Sequence, residues 1–189
     1  MVQLVPPHGG PTLKPLLASE ADCAAGLTRA EHLTSVPLSS REVSDLFMFA
    51  MGAYTPLDGF MGEADWRGAC IDMKLADGLF WPIPITASCS DAVANTIAVG
   101  DDVALTDEDG AILGILTVSE KYVIDKTLEC ESVYGTADPK HPGVQKVLEQ
   151  GPINLAGKLI ALSEGHFPET YKGLYLRPAE TRAMFDIVE

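Results

Sequence analysis

A change in hydrophobic period divides this chain and limits what it can fold into. From Ser19 to about residue 50 the apolar residues recur at helical spacing, whereas from Phe80 to Asp125 they fall in short runs separated by Gly, Pro and Asp. The best-marked helix opens at Ser39, which stands at capping-box distance from Glu42. Val43, Leu46, Phe47 and Ala50 then follow at i, i+3, i+4 and i+7 as one apolar stripe, and Gly52 and Pro56 end it. An earlier helix is expected from Ser19 to about His32, with Glu20 and Asp22 in its first turn, where the positive end of the helix dipole favours carboxylates.

Phe80 to Asp125 reads as short strands. Trp81 to Ala87, with Pro82 and Pro84, suggests an edge strand, and Ile97 to Val99 another. Val103-Ala104-Leu105 and Ile112 to Val118 flank Asp107-Glu108-Asp109-Gly110, whose Asp-Gly end signals a hairpin turn, and Gly114 marks a bulge or a close backbone approach. Between the halves, Thr55 to Met61 supplies a tight Pro-x-Asp-Gly turn that Leu57, Phe60 and Met61 can dock on the core. Pro142 starts a short helix with Val144, Val147 and Leu148 as its buried face and Gly151 as its close. Leu159 to Leu162 forms a last buried strand, and Gly165 to Gly173 a polar connector. A final helix from Pro178 presents Met184, Phe185 and Val188. The expected fold is α+β, a β-barrel-like core with flanking helices. Residues 1–18, rich in Pro and Gly, are read as an extended arm, 19–173 as the β-barrel domain, and 174–189 as the start of a lead-in to something further. The last helical pattern reaches Glu189 with no capping residue, so a truncated chain is expected.

Composition narrows the chemistry. With 27 acidic against 13 basic side chains the formal charge is −14, a field that repels phosphate backbones and anionic lipid headgroups, so neither nucleic acid nor a membrane surface is an expected partner. An anion site would need a local cluster of Arg, Lys or helix amino-termini, and no run supplies one. Cys23, Cys70, Cys89 and Cys130 lie far apart with no Cys-x-x-Cys pair, as in a reduced cytosolic protein, and no zinc site is expected. The opening Met1 to Pro7 lacks a basic segment followed by an apolar one, so a soluble protein that is not exported is expected.

The motifs that carry chemistry are missing. Gly151 to Leu159 resembles a phosphate-binding loop, but it has five residues between its glycines, Leu159 where a Mg²⁺-binding hydroxyl is needed, and Pro152 in place of an N–H donor. It is read as a turn between helix and strand. No Gly-x-Ser-x-Gly elbow, His-Glu-x-x-His helix or Gly-x-Gly-x-x-Gly turn is present. His8, His32, His141 and His166 each lack a sequence-adjacent partner of catalytic or metal-ligating type. His141 lies in the dense loop Tyr134 to Val144, YGTADPKHPGV. Two readings stand for it: a loop that presents Tyr134, Asp138 and His141 to another domain or subunit, or a rigid loop whose Asp138 and His141 bond to their own backbone. Residue chemistry favours the second.

Five segments carry a family resemblance. PHGG (Pro7 to Gly10), GAYTPLDGFM (Gly52 to Met61), MKLADGLFWPIPIT (Met73 to Thr86), YGTADPKHPGV (Tyr134 to Val144) and RPAETRAMF (Arg177 to Phe185) resemble, in order, the amino-terminal region of the ATP sulfurylase (sulfate adenylyltransferase) family. The resemblance implies a PUA-like β-barrel followed by an α/β nucleotide-binding domain. It also implies a reaction in which a sulfate oxygen attacks the α-phosphorus of Mg-ATP to give adenylyl sulfate and pyrophosphate, in the cytoplasm and in a homo-oligomer. The family's Gln-x-Arg-Asn-Pro-x-His-x-x-His and Gly-Arg-Asp-His motifs occur nowhere in these residues, so no catalytic, cofactor-binding or metal residue is carried over. The chain is therefore expected to be an accessory domain, inactive alone, with the catalytic domain of the same chain as its partner. A free-standing PUA-like binding module is the alternative. Lys14, a basic residue after PHGG, receives no role.

Overall fold

The computed structural model describes residues 4–187, so Met1, Val2, Gln3, Val188 and Glu189 lie outside the described residues. The elements run α1 (Glu20–Ala30), β1 (Thr34–Pro37), α2 (Ser40–Ala50), α3 (Glu63–Asp72), β2 (Ala87–Cys89), α4 (Asp91–Ala94), β3 (Asp102–Thr106), β4 (Ile112–Val123), α5 (Lys126–Tyr134), α6 (Pro142–Glu149), β5 (Ile153–Ala161), α7 (Phe167–Thr170) and α8 (Pro178–Ile187). The five strands form one mixed sheet in the order β1-β3-β4-β5-β2, an open half-barrel with helices at its flanks. β1 runs parallel to β3, and the other pairings are antiparallel.

Local chemistry explains the elements that the sequence marks. Ser39 caps α2 with the full capping box, and Ser19 caps α1 by accepting from the Asp22 N–H. The β3–β4 hairpin turns at Asp107, whose Oδ1 accepts from the Asp109 and Ala111 N–H groups. The register of that hairpin slips between Leu105 and Thr106, where Gly114 pairs with Leu105 and Thr106 with Ile112. A Cβ at Gly114 would lie 2.9 Å from the Ile160 carbonyl oxygen, so the expected bulge and the close approach are one feature.

The outer edge of β5 is shared by three segments distant in sequence. β2 pairs with Ile153 to Leu155. Next, the Gly157 N–H donates to the Phe60 carbonyl (3.2 Å) and the Leu159 N–H to the Asp58 carbonyl (2.9 Å). The amino-terminal arm then takes over: the Ala161 N–H donates to the Leu16 carbonyl and the Ala18 N–H to the Ala161 carbonyl, both at 2.9 Å. The Thr55 to Met61 turn and the arm therefore finish a sheet edge that would otherwise expose unpaired backbone groups. The main core lies between the sheet and α2 and α3. Smaller clusters sit under α1 (Ala30, Ala104, Ile115, Leu162) and between α5 and α6 (Cys130, Val144, Val147).

Several sequence expectations need correction. Trp81 to Thr86 is irregular, because Pro82 and Pro84 have no N–H to give a ladder, and the edge strand is Ala87–Cys89. Ile97 to Val99 is a loop after α4. Gly151 to Leu159 is not a turn, since from Ile153 it forms β5, with Gly157 at φ 156 beside the β4–β5 register shift. Leu148 is 46% exposed and leaves Val144 and Val147 as the buried face of α6. The Gly165 to Gly173 connector contains the short helix α7. The strand β1 and the helices α3, α4 and α5 have no counterpart among the sequence expectations.

Candidate functional site

Three of the sequence segments singled out above meet in space. Pro56 to Gly62, Leu75 to Asp77 and Gly9 line a groove of ≈ 710 Å³, closed on the other side by Ser119, Glu120 and Ala156 to Lys158. The arm is laid over the rim by His8, whose Nε2 lies 2.7 Å from the Phe80 carbonyl while its ring tilts against Trp81. Gly9, at φ 72, sits where a Cβ would strike Leu79 and Pro56, so glycine is required there. Lys14 has a structural role after all: its N–H donates to Thr55 Oγ1 (2.9 Å) and its ammonium pairs with Asp58.

The groove is acidic, and its carboxylates are engaged locally. Asp65 Oδ1 accepts from the Ala76 N–H (2.8 Å), Asp77 Oδ1 from the Leu79 N–H (2.9 Å), and Glu120 Oε2 from the Glu63 N–H (3.2 Å) at the first turn of α3. Lys158 is the only cationic side chain among the lining residues. The groove thus fixes turns and a helix start, and it gathers no cluster of cationic donors for an anion.

The Tyr134 to Val144 loop is also held by its own bonds. Gly135, at φ 69, ends α5, and its N–H donates to the Glu131 carbonyl. Asp138 Oδ1 accepts from the Lys140 N–H (2.9 Å) and its carbonyl from the His141 N–H (2.9 Å). His141 Nδ1 accepts from the Val144 N–H (3.4 Å) and so caps α6, with its ring 5.1 Å from that of Tyr134. Tyr134 also packs on Gly143, where any side chain would clash with its ring. Tyr134 is half-buried, and burial raises its phenol pKa above the ordinary value, while Asp138 and His141 are exposed. The structure brings these residues together as one local unit.

Residues 5–164, which include the half-barrel, the groove and the loop, match the model of the PUA-like domain family. This chain belongs to that family. Over 97% of its length the PUA-like chain is 53% identical to a sulfate adenylyltransferase of Psychrobacter cryohalolentis, and over 98% it is 49% identical to one of Chlorobium chlorochromatii. It spans only 45% and 46% of those relatives, under half their length. Among solved structures it is similar to the hexameric APS kinase from Thiobacillus denitrificans, with a TM-score of 0.72 and 31% identity, covering 97% of this chain and 32% of that one. The resemblance to ATP sulfurylases carried by the five segments therefore extends over nearly the whole PUA-like chain.

Mg-ATP, which that resemblance implies, does not fit the residues of this groove. A polyphosphate needs converging cations or free N–H groups, and the groove offers carboxylates with one lysine. Among the described residues no group of three or more His, Cys, Asp or Glu side chains could hold a metal ion, and no helix is long and apolar enough to cross a membrane. The four cysteines are free thiols, and burial together with nearby Glu129 pushes the Cys70 thiol up to about 12.

Sequence reasoning missed a buried polar seam. Glu42, 1% exposed, accepts from the Ser39 N–H and hydroxyl (2.8 and 2.7 Å) and from the Ser88 N–H and hydroxyl (2.7 and 2.8 Å). Arg41 beside it donates to Asp45 Oδ2 (3.1 Å), and the Tyr54 hydroxyl donates to Asp45 Oδ1 (2.7 Å). Burial holds the Asp45 carboxyl above the usual range, with Arg41 and the Tyr54 hydrogen bond pulling it back. Glu129, 4% exposed on α5, has the Trp66 indole N–H at 2.6 Å as its donor. The capping box pointed to Glu42, but nothing in the period of α5 marks Glu129 as an inward residue.

Proposed function

We propose that this PUA-like domain is the amino-terminal, non-catalytic part of a sulfate adenylyltransferase, the enzyme that forms adenylyl sulfate and pyrophosphate reversibly from ATP and sulfate. The observation that carries this reading is the near-complete match of the chain to under half the length of such enzymes, together with a groove whose charge opposes an anionic substrate. In this reading residues 1–18 are the arm, 19–173 the domain and 174–189 the lead-in to an α/β catalytic domain that supplies Mg-ATP binding. The enzyme is cytoplasmic and homo-oligomeric, in sulfur metabolism and sulfate assimilation. The chain itself contributes no catalytic, cofactor-binding or metal residue.

Its work is scaffolding. Tyr134, Asp138 and His141 sit on a rigid exposed loop, and α8, which buries none of its residues, exposes Met184 and Phe185 (53% and 65%) beyond an Arg177–Glu164 fork. A helix of 10 residues without a packed face is marginal by itself, so α8 and the loop are the surfaces we assign to the catalytic domain or a sister subunit. Isothermal titration of this chain with Mg-ATP, sulfate and adenylyl sulfate tests the assignment, and no heat of binding at millimolar ligand is expected. Micromolar binding of any of the three would place a substrate site in this domain and overturn it.

A further inference from the structure

Residues 125–151 form an excursion between β4 and β5 that is tied at its neck. The Ile124 N–H donates to the Pro152 carbonyl (3.1 Å), and the Lys126 ammonium donates to the Leu148 (2.9 Å) and Gln150 (2.5 Å) carbonyls at the end of α6. Inside the excursion α5 and α6 share their own apolar cluster of Cys130, Val144 and Val147 with Tyr134 against it. Beyond the neck the unit meets the body through Leu128 and Val133, which pack on the main core, and through Glu129, which accepts the Trp66 indole N–H of α3. Trp66 is 2% exposed, lies 6.0 Å from the Tyr122 ring, and the Tyr122 hydroxyl in turn donates to the Met61 carbonyl (3.0 Å).

We propose that Glu129 is a pH-sensitive latch: as a neutral acid it holds α5 against α3, and on ionising it releases the α5–loop–α6 unit, with Tyr134, Asp138 and His141, from the half-barrel. The groups facing it leave the charged form poorly compensated. From α3 come the Trp66 N–H and the Cys70 thiol, with Arg67 acting on that thiol; from β4 comes the Tyr122 phenol; and from α5 itself come Lys126, Cys130 and Tyr134. Arg41 of α2 favours the charged form from a distance but is committed to Asp45 and Thr86, and Lys126 is committed to the α6 carbonyls. No ion pair involves Glu129 among the described residues. Burial, partly offset by the Trp66 bond and by Arg41 and Lys126, raises the carboxyl pKa above its ordinary value. The folded unit therefore binds its proton more tightly than the open one does. Closure is fully favoured below the ordinary carboxylate pKa and weakens as pH rises toward the raised one. The effect on docking to other domains rests on the function proposed above; the release itself does not.

Amide hydrogen exchange of the whole chain, followed by mass spectrometry from pH 4 to 9 and corrected for intrinsic rates, tests the latch. Protection of peptides within 125–151 is expected to fall by up to about tenfold per pH unit within the window, while β4 and β5 stay protected. Glu129→Gln, which keeps an acceptor for the indole and cannot ionise, is expected to abolish that pH dependence. An unchanged pH dependence in Glu129→Gln would overturn the proposal. If the variant does not fold, the wild-type chain still decides: loss confined to 125–151 supports the latch, and uniform loss over the sheet or none at all refutes it. A passing exchange test beside tight substrate binding by the same chain would leave the latch standing and remove the accessory-domain reading.

Discussion

The seams at Glu42 and Glu129 bury a carboxyl side chain to nearly the same degree and treat it in opposite ways. Glu42 sits where the start of α2 meets β2, so two serines, each with a backbone N–H and a hydroxyl, turn four donors toward its two oxygens. Glu129 lies in the first turn of α5, where Asp125 already caps the Leu128 N–H, and projects into a patch of Trp66, Cys70 and Tyr122 that offers it the Trp66 indole N–H. Depth alone therefore does not decide what a buried carboxyl does. The number of free donors at the place where it is buried decides: Ser39 and Ser88 leave four for Glu42, whereas at the start of α5 the Leu128 N–H is already taken by Asp125.

Breaking the donor-rich seam at Glu42 gives the largest expected effect. Glu42→Ala leaves the donors of Ser39 and Ser88 without an acceptor and should destabilise the chain by about 3–5 kcal/mol in urea unfolding. A loss under about 1 kcal/mol would show that water replaces the carboxylate and that the contrast is wrong. Ser88→Ala removes one donor to Glu42 and the acceptor for the Gly151 N–H, and a cost of about 1–2 kcal/mol is expected from the same measurement. Ser39→Ala loses the cap hydroxyl of α2 but keeps the backbone donor, with an expected cost of about 1 kcal/mol.

On the other seam the sign reverses. Glu129→Gln should match the wild-type melting temperature near pH 4 and exceed it near pH 8, because only the wild type must ionise a buried acid. Asp45, raised by burial in the same direction, leaves a residual pH slope in both proteins. The smallest effect is expected at the surface: Lys14→Ala loses an exposed pair with Asp58 and should change stability by no more than about 0.5 kcal/mol.

How much of this was legible follows the same physics. The capping box of α2, the Asp-Gly hairpin, the glycine at the bulge and the packed Pro-x-Asp-Gly turn are each set by a few adjacent residues, and the sequence displays them. β1 was not legible because four residues, Thr34–Pro37, gain a partner only by parallel pairing with β3 some 70 positions on. α3 hides its inward stripe behind the small residues Ala69 and Cys70 beside Trp66, and α5 hides its own behind Glu129, which reads as a solvent residue. Trp81 to Thr86 misled in the opposite sense, being apolar enough for a strand but unable to donate at Pro82 and Pro84. The Tyr134 to Val144 loop stands out by composition, and the local bonding of Asp138 and His141 that residue chemistry favours is the arrangement found.

The central claim is that the chemistry of the longer relatives is absent from this domain, and it is tested most directly by assaying the purified chain for ATP formation from adenylyl sulfate and pyrophosphate with Mg²⁺, with circular dichroism recorded on the same sample. A folded α+β spectrum with no turnover above the protein-free rate is the predicted result. Turnover that scales with the concentration of the chain would contradict the account and place an active site within these residues.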